Sequence, residues 1–361
     1  MKFGLLHFFE HAAGGKSDKQ IVREQLHSMR VAEEMGFDSI WAPEHHFTEY
    51  GFCASPMVTL AAMASVTTEI RLGSGVVVLP FNDPVRVAEE GAMIDLMSDG
   101  RLELGVGRGF QPDEYRGFRA DQAKSREIFE EALQIIIQAW TQGRVNFKGA
   151  HFDIPEHSVR PQPVQKPHPP IWVAAISDDT FALAGKLGLD LLCSLVYGFK
   201  SNHTAQLLST YRESLRSNGH NPAEREISAL CMVYCAESTH LARQDFGAPV
   251  LWFFSSISKY IALPAGEKPI EGYEAYAQIH HAARTVQWDE LVDSGAVVCG
   301  NPESCIRQIE ALQKRYGFSQ ILCWTRLSGL DNQKALRSME LMARHVIPHF
   351  KRAAAQVRRP I

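Results

Sequence analysis

A (β/α)8 barrel of the TIM type, with insertions, is the fold class this sequence predicts, and three observations predict it. Short apolar runs alternate with helix-spaced segments about eight times along the 361 residues. Those runs are continuously apolar, as parallel strands covered on both faces are. Several of them open directly into polar or glycine-rich turns, and the functional groups of such barrels gather at the C-terminal strand ends. An open, doubly wound sheet is the structural alternative.

The elements follow in order. Lys2 to Leu6 reads as the first strand, followed by a loop with Gly14 and Gly15. Asp18 to Met35 carries Ile21, Val22, Leu26, Met29, Val31 and Ala32 near helical spacing, and Gly36 ends it. Ile40 to Ala42 is the second strand; it stops at Pro43 and opens into Glu44, His45 and His46. A helix over Pro56 to Ala64 precedes a third strand from Ile70 to Leu79, and Pro84 starts a helix over Val85 to Met97. The fourth strand, Leu102 to Val106, runs into Gly107-Arg108-Gly109-Phe110, and Ser125 to Trp140 is an amphipathic helix. Residues 143–170, rich in Pro, His and Gly, read as an excursion. Ile171 to Ala175 is the fifth strand, ending at Ile176-Ser177-Asp178-Asp179-Thr180, with a helix over Phe181 to Gly188. Leu191 to Leu195 and Ile227 to Cys235 are the sixth and seventh strands, separated by a helix over Ala205 to Ser217. After a helix over Leu241 to Tyr260, residues 262–293, with Gly266, Pro269 and Gly272, read as irregular and are expected to form a mobile lid. Helices over Pro302 to Tyr316 and Asn332 to His345 flank the eighth strand, Gln320 to Trp324, so residues 1–361 are expected to form one barrel domain.

Composition excludes several classes. Thirty-seven basic residues against 41 acidic ones, with no basic stripe, predict no nucleic-acid partner. No apolar run approaches the ~18 residues of a membrane span, and Met1 to Leu6 lacks the regions of a signal peptide. Seven cysteines without paired motifs fit a reducing, cytoplasmic setting. No His or Cys pair has metal-motif spacing, so no metal is expected.

Four constellations can carry chemistry. Glu44, His45 and His46 sit at a strand end, where at most one histidine faces the barrel mouth if the strand continues. They suit general acid/base work or an oriented contact to a ligand; the plainer alternative is a satisfied polar strand end. Gly105-Val106-Gly107-Arg108-Gly109 allows close backbone approach and offers a guanidinium fork to phosphate, with Arg126 at the following helix start. Ser177 and Thr180 stand at another helix start, where hydroxyls and free N–H groups hold phosphate or simply cap the helix. Gly73-Ser74-Gly75-Val76 interrupts an apolar strand, which suggests a bulge or a ligand lying on the backbone.

The run Glu44-His45-His46-Phe47-Thr48-Glu49-Tyr50-Gly51 closely resembles the motif after the second strand in the bacterial luciferase family of flavin-dependent monooxygenases, its α subunit above all. The likeness continues through Leu79-Pro80, Pro84-Val85-Arg86, Met97-Ser98-Asp99-Gly100-Arg101, Gly107-Arg108-Gly109 and Gly300-Asn301-Pro302-Glu303, and covers almost the whole chain. The resemblance implies a luciferase-like barrel that takes reduced FMN from a separate flavin reductase. It implies that dioxygen adds to the flavin to give a peroxyflavin, which oxidises an aldehyde or related small carbonyl substrate. By motif match His45 is the catalytic histidine and Glu44 its flavin-contacting neighbour. Arg108, Arg126, Ser177 and Thr180 fall on phosphate-binding positions, with Ile176 beside them in the cofactor set. Gly75 and Val76 fall on a pair joined by a cis peptide under the ring, and Phe110 and Gln111 on the segment lining it. A homodimer through helices near the second and third strands is also implied. Gly107 stands where the α subunit has a reactive cysteine, the cis pair is Gly-Val rather than two alanines, and Tyr273, Tyr276, His280 and His281 depart from the luciferase lid. Efficient light emission is therefore not expected. The alternatives are a deazaflavin-dependent oxidoreductase of the same superfamily and a non-catalytic flavin-binding protein.

Overall fold

Eight parallel strands close into a barrel in the computed structural model, which describes residues 1–11, 15–198, 203–262 and 269–357. They are β1 (Lys2–Leu6), β2 (Ser39–Ala42), β3 (Arg71–Ser74), β4 (Leu102–Gly107), β5 (Ile171–Ala175), β6 (Asp190–Ser194), β7 (Ile227–Cys235) and β8 (Gln320–Trp324). Each pairs with the next, as in Gly4 with Ser39 and Trp41 with Gly73, and β8 returns to β1 through Gln320 and Lys2. Helices between the strands form the outer ring. This is the (β/α)8 arrangement the alternation predicts.

Period-two alternation sorts the strand side chains into two apolar clusters. Phe3, Leu5, Ile40, Leu72, Leu104 and Val173 pack outward with helix residues such as Met29, Phe129 and Ile136. Leu6, Trp41, Trp172, Leu192, Leu322 and Trp324 belong to the interior. Trp41 and Trp172 meet edge to face at 5.5 Å, and the Trp41 indole N–H donates to Ser39 Oγ at 2.8 Å. Gly73 makes this possible, because a Cβ there would lie 2.2 Å from the Trp41 ring.

Three stretches differ from the sequence reading. Ile70 to Leu79 is not one strand: a cis peptide joins Gly75 to Val76, and Val77–Val78 resumes pairing against Val106 and Gly107. The excursion over 143–170 contains an antiparallel hairpin, Arg144–Lys148 with Asp153–Ser158. Glu131 holds its turn by accepting the backbone N–H groups of Ala150, His151 and Phe152. The hairpin is mostly exposed, so its pattern lacks a buried face to read. The described part of the stretch 262–293 is not irregular throughout: it holds helices over Glu274–Ala283 and Trp288–Ser294, both short and flanked by turn residues. Three further elements went unread: helices over Pro112–Phe118 and Ile347–Val357 and a strand over Val297–Gly300. That strand pairs with the C-terminal half of the nine-residue β7, beyond the part that pairs with β6. Gly14 and Gly266 lie outside the described residues.

Candidate active site

A cavity opens at the C-terminal edge of the barrel and encloses about 1120 Å³, mouth included. It brings together Glu44, His45, Gly75, Val76, Arg108, Phe110, Ile176, Ser177 and Thr180, which arrive from the ends of β2, β3, β4 and β5. Gln111 and Arg126, also expected to bind the cofactor, do not line it: Gln111 meets it through His45 and Arg126 stands beside Gly272. Leu6, Leu192, Leu230 and Leu322 form an apolar floor inside the barrel.

The chain leaves β2 at Ala42 and turns the two histidines apart. His45 lines the cavity, between the rings of Phe8 (centroids 5.5 Å) and Phe110 (5.9 Å). His46 turns away onto the edge of Phe118 and bonds Glu44 through Nε2 at 3.2 Å. Glu44 is buried and its oxygens are well used. They accept the Val78 N–H at 2.8 Å and the Asn82 amide at 3.0 Å, so this carboxylate ties β2 to the chain just past the Gly75–Val76 peptide.

Glu114 is the residue sequence reasoning missed. Its Oε1 lies 3.1 Å from His45 Nδ1 and accepts the His46 N–H at 2.9 Å and the Gln111 amide at 3.2 Å. It is 1% exposed, and its Oε2 has no partner among the described residues. The available signal was Gln111-Pro112-Asp113-Glu114: a proline at the first helical position followed by acidic residues in the first turn. Gln111 is fully buried behind His45 and donates to Tyr50 Oη at 2.8 Å, so it reaches the site through Tyr50 and Glu114. Burial, with Tyr197 and Glu114 nearby, pushes the Tyr50 phenol well above its ordinary range, which keeps it a neutral donor and acceptor. Its hydroxyl lies 3.1 Å from His45 Nε2.

The other end of the cavity is built for an anion. Ser177 precedes the ten-residue helix Asp178–Leu187 but does not cap it; its hydroxyl instead meets Thr180 Oγ1 at 3.0 Å. Arg126 donates to Asp179 at 2.9 Å, which brings it to the same turn. Arg108 stacks over the Tyr273 ring at 5.0 Å and donates to the Gly272 carbonyl at 3.3 Å. A Cβ on Gly272 would lie 3.2 Å from Arg126 and 3.5 Å from Arg108, so the two guanidinium groups converge. Two hydroxyls, two guanidinium groups and a helix N-terminus are groups that can hold an anion such as a phosphate.

Between these groups and His45 the walls are Gly75, Val76, Gly107, Ala174 and Ile176, small or apolar, so they suit a flat aromatic body. A Cβ on Gly107 would fall 2.7 Å from Val76 Cγ2. These features together fit a flavin mononucleotide. Tyr273 and Tyr276 cover the cavity. Tyr276 stacks on Phe110 with ring centroids 4.9 Å apart, and Tyr273 bonds Ser125 Oγ at 2.9 Å. His280 points elsewhere, to the Ser258 carbonyl at 2.6 Å. Among the described residues no three His, Cys, Asp or Glu side chains are grouped to hold a metal, and no helix is long and apolar enough to cross a membrane.

Comparison with known proteins gives the family of the chain. The family model described as luciferase-like monooxygenase matches residues 1–319. The chain is similar to an alkanal monooxygenase alpha chain from the Kryptophanaron alfredi symbiont, with 26% identity over 92% of this chain and 94% of that one. It is also similar to the oxygenase component of a flavin-dependent trigonelline monooxygenase from Acinetobacter baylyi, with 26% identity over 97% and 96% of the two chains. The crystal structure of monooxygenase RslO1 from Streptomyces bottropensis superposes with a TM-score of 0.84 at 26% identity, covering 97% of this chain and all of that one.

Proposed function

The chain belongs to the luciferase-like monooxygenase family, and we propose that it is an oxygenase component that takes reduced FMN from a separate reductase and uses dioxygen to oxidise an aldehyde or related carbonyl compound. The observation that carries this reading is one cavity holding both a phosphate cradle and a buried histidine, joined by a slot of small and apolar residues.

Arg108, Arg126, Ser177 and Thr180 hold the phosphate. Gly75, Val76, Phe110 and Ile176 bound the ring, and Glu44 fixes the backbone that carries Val78. Reduced FMN supplies two electrons for dioxygen activation when bound. One oxygen atom enters the carbonyl compound and the other leaves as water. His45 holds and returns the proton that this exchange requires. Tyr273, Tyr276 and Phe110 exclude water from above, and the segment after residue 269 serves as the lid.

Turnover with a flavin reductase under isotope-labelled dioxygen tests the reading across a panel of aldehydes and ketones. One labelled oxygen in the product is expected. Unlabelled product, or conversion only with a reduced deazaflavin, overturns it. The same reading places a homodimer contact on the helices Pro56–Ala64 and Pro84–Met97, which expose Val58, Met93, Leu96 and Met97.

A further inference from the structure

We propose that Glu114 is a positioning residue that fixes the proton of His45 on Nδ1, with Tyr50 Oη on the opposite nitrogen. The inference rests on the reading of His45 as the proton-handling group.

The hydrogen-bond inventory selects this arrangement. Around His45 Nδ1 stand Glu114 Oε1 at 3.1 Å, the Gln111 amide nitrogen at 3.1 Å and Tyr50 Oη at 3.2 Å, a hydroxyl that also reaches Nε2. A carboxylate only accepts, and an amide nitrogen only donates. If Nδ1 carried no proton, its lone pair would face the lone pairs of Glu114 in a dry site. If Nδ1 carries the proton, it donates to Glu114. The two Gln111 N–H groups then go to Tyr50 Oη at 2.8 Å and Glu114 Oε1 at 3.2 Å. Tyr50 is left with its own proton, and His45 Nε2 at 3.1 Å is the acceptor for it. Every donor in this set has an acceptor.

The surroundings hold this geometry. Glu114 also anchors the His46 backbone N–H at 2.9 Å, so one carboxylate sets both the position of the loop and the tautomer. A Cβ on Gly51 would lie 3.3 Å from the His45 ring, so the chain packs against the imidazole from behind. Phe8 and Phe110 bring only apolar rings. The charged or titratable groups facing His45 are Glu114 from the helix Pro112–Phe118, Tyr50 from its own loop, and its neighbours Glu44 and His46, which bond each other. Tyr197 and Tyr276 lie beyond Tyr50. Glu114 is thus the carboxylate that faces Nδ1. Its Oε2, buried in the cavity wall without a partner among the described residues, remains an acceptor for a donor on a bound ligand.

Nitrogen NMR of the flavin-free protein, labelled at histidine and assigned with a His45→Gln control, tests this without turnover. In the wild type His45 is expected as the Nδ1–H tautomer. Glu114→Ala should move the proton toward Nε2, and Glu114→Asp should restore the wild-type pattern in part. An Nε2–H tautomer in the wild type, which needs no variant to fold, overturns the proposal. So does a folded Glu114→Ala protein that keeps the wild-type tautomer. Failure of the labelled-dioxygen assay would instead strike the proposed reaction and leave the tautomer result standing.

Discussion

In the proposed reaction His45 and Arg108 divide the work of the cavity between proton and phosphate. His45→Ala should lower turnover by about 10²–10⁴-fold, the usual span for a general acid or base, while the affinity for FMN changes little. Steady-state turnover beside a flavin fluorescence titration checks both halves. Arg108→Ala removes a charge-assisted contact of about 1.5–3 kcal/mol. FMN should therefore bind about 10–100-fold more weakly, with riboflavin, which has no phosphate, almost unaffected. Equal losses for both flavins would remove Arg108 from the phosphate. These two residues were legible in the sequence because each sits in a motif contiguous with a strand end. Glu114 was not, because its meaning lies in a contact with His45 that is 69 positions away. No local pattern couples the two. Gln111 shows the same limit: its neighbourhood was right, but only packing shows that it turns inward to Tyr50.

At the scale of elements, the barrel depends on glycine where two large rings fill the interior. Gly73→Ala would place a methyl group within the Trp41 indole. Overpacking of this kind costs about 1–3 kcal/mol, to be read as a lower urea midpoint with unchanged slope. A midpoint equal to that of the wild type would mean that Trp41 repacks freely. The eight barrel strands were legible because each is a short apolar run bounded by a turn. Val297–Gly300 is another such run, and the alternation rule had no place for a strand that merely extends the pairing of a long β7. The helices over Glu274–Ala283 and Trp288–Ser294 are ten and seven residues long, too short for periodicity to outweigh the glycine and proline before them. The Gly75–Val76 break was foreshadowed by two glycines in an apolar strand.

For the whole molecule, buried titratable groups outside the cavity set how stability follows pH. His7 is buried, bonds Gln25 at 3.0 Å and has its pKa lowered to about 4, mainly by desolvation. The folded state therefore resists the proton that the unfolded chain takes up near its ordinary value. The contribution of His7 is complete above about pH 6.5 and is lost as pH falls toward about 4. Asp190, pushed up to about 6 by burial, acts in the opposite sense over an overlapping range, so the wild-type curve alone hides both. The difference in unfolding free energy between wild type and His7→Gln isolates the histidine. It should shrink by about 3 kcal/mol between pH 6.5 and pH 4, and a flat difference would contradict the assignment.

Assembly is tested at the same scale. Leu96→Glu places a charge on the exposed apolar face of Pro84–Met97 and should convert the proposed dimer to monomer in sedimentation. A wild type that sediments as a monomer would remove the dimer.

The cavity as a whole is proposed to bind reduced FMN and govern its meeting with dioxygen. Stopped-flow absorbance tests this most directly: protein loaded with reduced FMN is mixed with oxygenated buffer, with and without a long-chain aldehyde. The expected result is a return of oxidised-flavin absorbance at least about tenfold slower than for free flavin, a difference of about 1.4 kcal/mol in barrier. Reoxidation at the free-flavin rate in both mixtures would contradict it.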